Sequence, residues 1–267
     1  MYSSAKAVIS GSIAEVYFYK LPIEYGYEQP RIFKTNIYEK SEEEKQESKI
    51  RSLQQTKRAL RNILQSNGWQ YLNDQGKPCL PLFITLTFRE NIKELSVAHR
   101  EFKIFVQRFN FRFHGRHKAN IRYLAVPEFQ KRGAVHYHVI FFNLSFIKNI
   151  YDEINALWGN GFTLVETVKT LGHLVNYVAK YITAEALDER LAGRKRYFTS
   201  RGLIKPLEIR DEKAVAELLE QLPRENIRYK NLYVGADGQE TEYLNYEFGL
   251  GQKVVEIAQL NRQLVEA

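Results

Sequence analysis

Two apolar runs, 121–129 (IRYLAVPEF) and 134–142 (AVHYHVIFF), flank the four residues Gln130-Lys131-Arg132-Gly133. Both runs are rich in β-branched and aromatic residues, and a short linker ending in glycine predicts an antiparallel hairpin with a basic tip. A hairpin of this kind commits the chain to a sheet and fixes which side chains share a face. Side chains alternate across a strand, so His136 and His138 point to one face while Tyr137 and Val139 point to the other. Glu128 lies on the partner strand, eight residues before His136, and a four-residue turn brings it close to both histidines. Two imidazoles and a carboxylate converging from a rigid hairpin form a candidate divalent-cation site with positions left for phosphate oxygens and water. The competing reading of the same residues is a polar stripe on an exposed sheet face.

The rest of the chain alternates strand and helix signals. Residues 8–38 read as two β segments around a Tyr/Gly/Pro turn. Ser41 and Glu44 fit a capping box ahead of a charged helix over 42–66 that stops at Asn67-Gly68. A β run covers 81–88 (PLFITLTF). Ser96 is the expected cap of a helix to about 113, with Phe102, Phe105, Val106 and Phe109 at helical spacing. Helical patterning returns at 148–158 and 170–187, with a short strand near 162–166 between. A short helix (211–222), β segments at 226–234 and 241–248, and a final helix complete the chain. The expected fold is α+β, a central antiparallel sheet of about five strands flanked by helices. His99, His114 and His117 read as surface residues.

Composition narrows the functional classes. The formal charge of +8 favours a polyanionic partner such as nucleic acid. The single cysteine, Cys79, leaves no disulfide framework and no zinc-thiolate cage. No apolar run approaches the roughly 18–20 residues needed to span a bilayer, and the N-terminal stretch does not read as a signal peptide. The expectation is a soluble cytoplasmic protein. The segment 249–253 (GLGQK) lacks the spacing and the Ser/Thr of a phosphate-binding loop, so no ATP motor is expected.

In the segment LGHLVNYVAKYITAEA, Tyr177 and Tyr181 are four apart and share one helix face, with His173 a turn back and Lys180 one residue off it. A phenol titrating at about 10 is a poor nucleophile at neutral pH. Positive charge nearby, from a metal or Lys180, favours the phenolate. The bland alternative is a tyrosine stripe packed into the core.

Together these residues resemble the HUH endonucleases, and most closely the rolling-circle replication initiators of plasmids and small single-stranded DNA phages. Phe83 to Phe88 is similar to the family's first motif. Glu128 with His136-Tyr137-His138 resembles the second, which implies that these three residues hold Mg²⁺ or Mn²⁺. Tyr177-Val178-Ala179-Lys180-Tyr181 resembles the third, in a two-tyrosine form. Trp158-Gly159 and the segment Arg196 to Leu203 also look like segments common in bacterial members.

The resemblance covers about 81–205 and implies an HUH core there. Residues 1–80 are expected to be an N-terminal extension and 206–267 a C-terminal α/β appendage of unknown role. It implies nicking of single-stranded DNA at an origin, next to a hairpin, through a covalent 5′-phosphotyrosine on Tyr177 or Tyr181, with Lys180 assisting. A host polymerase and a host helicase would be partners. Lys131, Arg132, Arg194, Lys195, Arg196 and Arg201 are candidate DNA contacts, and Tyr197 and Phe198 candidate stacking or core residues. The rivals are a single-strand transposase or conjugative relaxase with the same chemistry, a non-catalytic single-strand-binding regulator, and a hydrolase using free water.

Overall fold

The structure, a computed structural model, describes residues 1–26, 41–115, 120–168, 189–191, 194–235 and 237–248. The fold is α+β, with two five-stranded antiparallel sheets where the sequence predicts one. The chain divides into two compact units, one of residues 1–50 with 205–267 and one of residues 51–204.

In the first unit, β1 (Tyr2–Ser10) and β2 (Ile13–Glu24) form a hairpin. They join β8 (Leu207–Ile209), β9 (Ile227–Val234) and β10 (Glu240–Glu247) in the order β8-β1-β2-β10-β9. Strands from the two ends of the chain therefore hydrogen-bond into one sheet. Helix α4 (Glu212–Gln221) starts at Asp211, whose carboxylate accepts from the Ala214 amide at 2.8 Å. Its Val215 and Leu218 pack against Ala7, Val16 and Leu244 of the sheet.

The boundary between units falls inside α1 (Glu42–Asn67). The capping box is present: the Glu44 amide donates to Ser41 Oγ at 3.1 Å and the Ser41 amide donates to Glu44 Oε2 at 2.9 Å. At the other end the buried Asn67 amide is fully used. Its Nδ2 donates to the carbonyls of Ile63 and Ile204 (2.8 and 2.9 Å). Its Oδ1 accepts from the Ile204 amide and the Tyr71 hydroxyl (2.8 and 2.6 Å).

The second unit holds β3 (Leu82–Phe88), α2 (Leu95–His114), β4 (Tyr123–Phe129), β5 (Val135–Phe141), α3 (Ile150–Trp158), β6 (Gly161–Thr167) and β7 (Phe198–Thr199). The strand order is β6-β3-β5-β4-β7, so the β4–β5 hairpin and β3 form the centre. Each sheet face carries its own core. On one face Leu86, Phe88, Tyr137, Val139 and Phe141 pack against Phe102, Phe105 and Phe109 of α2. On the other, Phe83, Leu124, Val126, Ile140 and Phe142 pack against Leu60 and Leu64 of α1. This two-sided burial is why β5 is apolar nearly throughout.

Ser96 does not cap α2. The helix begins one residue earlier, after Glu94, with no side-chain cap bond. Trp158 and Gly159 have structural work: the Trp158 indole lies among Phe88 and Phe105 and donates to the Thr87 carbonyl at 3.1 Å. Gly161 faces Phe88 so closely that a Cβ there would lie 2.2 Å from the Thr87 carbonyl oxygen. The segment 170–187 and the final helix lie outside the described residues, as do His117 and the side chain of His114. Among the described residues no helix is long and apolar enough to cross a membrane.

Candidate metal centre

The hairpin places Glu128 directly opposite His136, with His138 one pleat further along β5. One carboxylate oxygen serves both rings: Glu128 Oε2 is 2.7 Å from His136 Nε2 and also hydrogen-bonds His138 Nε2. The two imidazole centroids are 4.7 Å apart and nearly perpendicular. One donor atom from each residue lies within 4.8 Å of the others, close enough to hold one ion. Two nitrogens and a carboxylate oxygen on a stiff hairpin suit a divalent cation with open coordination positions. The sequence-derived metal residues are thus brought together.

The neighbouring strand orients one of them. Thr85 of β3 faces His138, and its Oγ1 lies 3.2 Å from His138 Nδ1. The Phe83 ring stacks on the same imidazole at 5.6 Å between centroids. Among the described residues His136 Nδ1 is buried without a hydrogen-bond partner. Burial pulls the His138 pKa below 6.5; the Glu128 hydrogen bond opposes this and the charge of His136 adds to it. The neutral ring that a metal requires is therefore the favoured form near neutrality. Thr85 was not foreseen as a site residue: its run reads as a strand, but the pairing with β5 is long-range.

Tyr137 between the histidines points to the opposite face, fully buried and stacked on Phe102 at 4.6 Å. Its hydroxyl donates to His99 Nδ1 on α2. Burial pushes the phenol far above its ordinary pKa, which excludes it as a phenolate nucleophile. His99 is corrected from a surface residue to a half-buried one, with Phe198 edge-on to its ring at 4.5 Å. Burial, aided by the charge of Arg194, lowers its pKa.

The basic residues spread around this hairpin. Lys131 and Lys195 are exposed. Arg132 turns back from the tip to donate to the carbonyls of Phe88 and Arg89, and its Nε donates to Gln130 Oε1 at 3.0 Å. Arg194 belongs to the α2 side, near His99, rather than to the face of the metal residues. Arg196 is half-buried, with its Nη1 unpaired among the described residues. Arg201 is exposed while its carbonyl accepts from Arg122 at 2.8 Å. Tyr197 packs with the α1-side core and Phe198 with the α2-side core. Tyr177, Lys180, Tyr181 and His173 lie outside the described residues.

Fold and site together define an α+β protein with a His/His/Glu group on its central hairpin that can take a metal ion. Residues 81–186 match the family model described as replication-associated protein ORF2. The matched region starts at β3, contains the whole metal group and extends through the segment bearing Tyr177 and Tyr181. It supports a replication-associated role for a protein that acts on DNA. No curated protein and no solved structure matches the chain.

Proposed function

We propose that the chain is a replication initiator of the HUH type, an endonuclease that nicks and rejoins single-stranded DNA at a rolling-circle origin. The observation that carries this reading is the shared contact of Glu128 Oε2 with both histidine Nε2 atoms, inside the region matching a replication-associated family. His136, His138 and Glu128 would hold Mg²⁺ or Mn²⁺. Such a cation supplies Lewis-acid polarisation of the scissile phosphate.

Tyr177 or Tyr181 acts as nucleophile in this proposal. Its phenolate oxygen forms a bond to phosphorus, the bond from phosphorus to the 3′ oxygen breaks, and that oxygen takes a proton from solvent. The products are a 5′-phosphotyrosine and a free 3′-OH that a host polymerase can extend. Attack by a 3′-OH on the phosphotyrosine reverses the step and rejoins the strand. The second tyrosine permits a second transfer, and Lys180 favours the phenolate electrostatically. Strand separation falls to a host helicase. Lys131, Arg132, Lys195 and Arg201 are the exposed cations assigned to phosphate contacts, with Arg194 and Arg196 beside them.

The test is cleavage of single-stranded oligonucleotides carrying the DNA that flanks the gene, with Mn²⁺, with chelator, and with His136→Ala and His138→Ala. Metal-dependent nicking lost in both variants is expected. Undiminished cleavage in chelator contradicts the reading.

A further inference from the structure

The face that carries the metal residues continues across β3 onto the edge strand β6. Thr87 pairs with His136 on one side and with Phe162 on the other. Thr85 pairs likewise with His138 and Leu164. Partners in an antiparallel ladder share a face, so Glu128, His136, Thr87 and Phe162 form one row, and Val126, His138, Thr85 and Leu164 the next. The alternate residues of β6 confirm the direction, since Thr163 is buried and Val165 packs into the α2-side core.

Phe162 is 73% exposed and Leu164 50% exposed. A large aromatic and a leucine on an edge strand expose apolar surface at a place where chains usually carry charge. Two strand spacings put Phe162 roughly 10 Å from His136, a distance an extended nucleic-acid strand covers in a few nucleotides. Cations stand at the same end of the sheet. Arg89 follows β3 and is exposed, and Arg132 is tied to the carbonyls of Phe88 and Arg89. An exposed aromatic ring beside cations and a phosphate-holding group is the arrangement that binds single strands, by stacking bases and neutralising backbone.

We propose that Phe162 is a stacking platform for an unpaired base of the DNA strand held at His136, His138 and Glu128, with Leu164 extending the apolar contact. This rests on the proposed function. The occupant is a single DNA strand, because the exposed ring is continuous with a group suited to hold a cation and phosphate and is flanked by positive charge. Phe162 acts by positioning: it sets which nucleotide lies over the metal residues and takes no part in bond making.

The experiment measures binding of a labelled oligothymidylate in chelator, so that metal loading does not enter, for wild type, Phe162→Ala and Phe162→Trp. Loss of one base-stacking contact corresponds to about 5- to 150-fold weaker binding for Phe162→Ala. Phe162→Trp is expected to retain wild-type binding. With an abasic oligonucleotide, wild type and Phe162→Ala are expected to bind alike, and Mn²⁺ affinity by electron paramagnetic resonance should be the same in all three proteins. Equal oligothymidylate binding by wild type and Phe162→Ala, while wild type still nicks, overturns this inference alone. So does a loss of equal size on the abasic strand, or a shift from dimer to monomer on sedimentation, which would make a second copy the occupant. A wild type that neither binds nor nicks single strands overturns the proposed function and this inference with it.

Discussion

Thr85 Oγ1 lies 3.2 Å from His138 Nδ1, while Nε2 of the same ring meets Glu128. For Nε2 to coordinate a metal, Nδ1 must carry the ring proton, and Thr85 is placed to accept it. Outer contacts of this kind hold a ligand's tautomer and angle, and removing one typically weakens metal binding about 10- to 100-fold. Thr85→Val keeps the shape and the strand propensity but removes the acceptor. Mn²⁺ titration of this variant should show a loss of that size with an unchanged circular dichroism spectrum. Wild-type affinity would show that the threonine does not orient the ring.

Glu128 is the sole negative charge between the two imidazoles among the described residues of the metal group. A ligand that binds only the folded protein raises the melting temperature, by about 2.7 kcal/mol of stability at a hundredfold excess over Kd. Mn²⁺ should therefore raise the melting temperature of wild type and fail to raise that of Glu128→Gln. An equal rise in both would remove Glu128 from the ligand set.

Tyr137 and His99 form a buried pair on the opposite face, and breaking it should affect stability rather than chemistry. Tyr137→Phe leaves His99 Nδ1 without its donor, at a cost of about 1–3 kcal/mol. Urea unfolding should report this loss while Mn²⁺ binding and nicking stay near wild type. A variant that is stable but unable to nick would place Tyr137 in the reaction.

The lowered pKa of His99 sets a direction with pH. Above the ordinary value of 6.5 the ring is neutral in both the folded and unfolded states. As the pH falls below that, the unfolded chain takes up a proton that the folded one resists, so stability is lost on acidification. His138 shifts in the same direction and adds to the effect. Melting temperature should fall between pH 7 and pH 5 (a window of about two units). The slope should be shallower in His99→Gln, whose side-chain carbonyl can still accept from Tyr137. Equal slopes would contradict the assignment.

Local signals were legible in the sequence. The Ser41/Glu44 box, the glycine-ended hairpin and the placing of Glu128 beside the histidines depend on residues within a few turns or across one short turn. Alternation then decided which side chains share a face. What was not legible depends on pairing between distant segments. The β2–β10 pairing joins Tyr17 to Tyr243, and no local pattern announces it. His99 looked exposed because its partner, Tyr137, is on another layer of the fold. Thr85 and Phe162 join the site only through the register of β3 against β5 and β6. The nucleophile segment was read from spacing and resemblance alone, and its roles remain proposals.

The most direct measurement of the central claim is the fate of the 5′ end of the cleaved strand. Wild type, Tyr177→Phe, Tyr181→Phe and the double variant are incubated with Mn²⁺ and a 3′-end-labelled oligonucleotide from the DNA flanking the gene, and any covalent adduct is mapped by mass spectrometry. The account predicts a phosphotyrosine at Tyr177 or Tyr181, lost in the double variant and in chelator. Cleavage that leaves a free 5′-phosphate and no protein–DNA adduct, or an adduct that survives in the double variant, would contradict it.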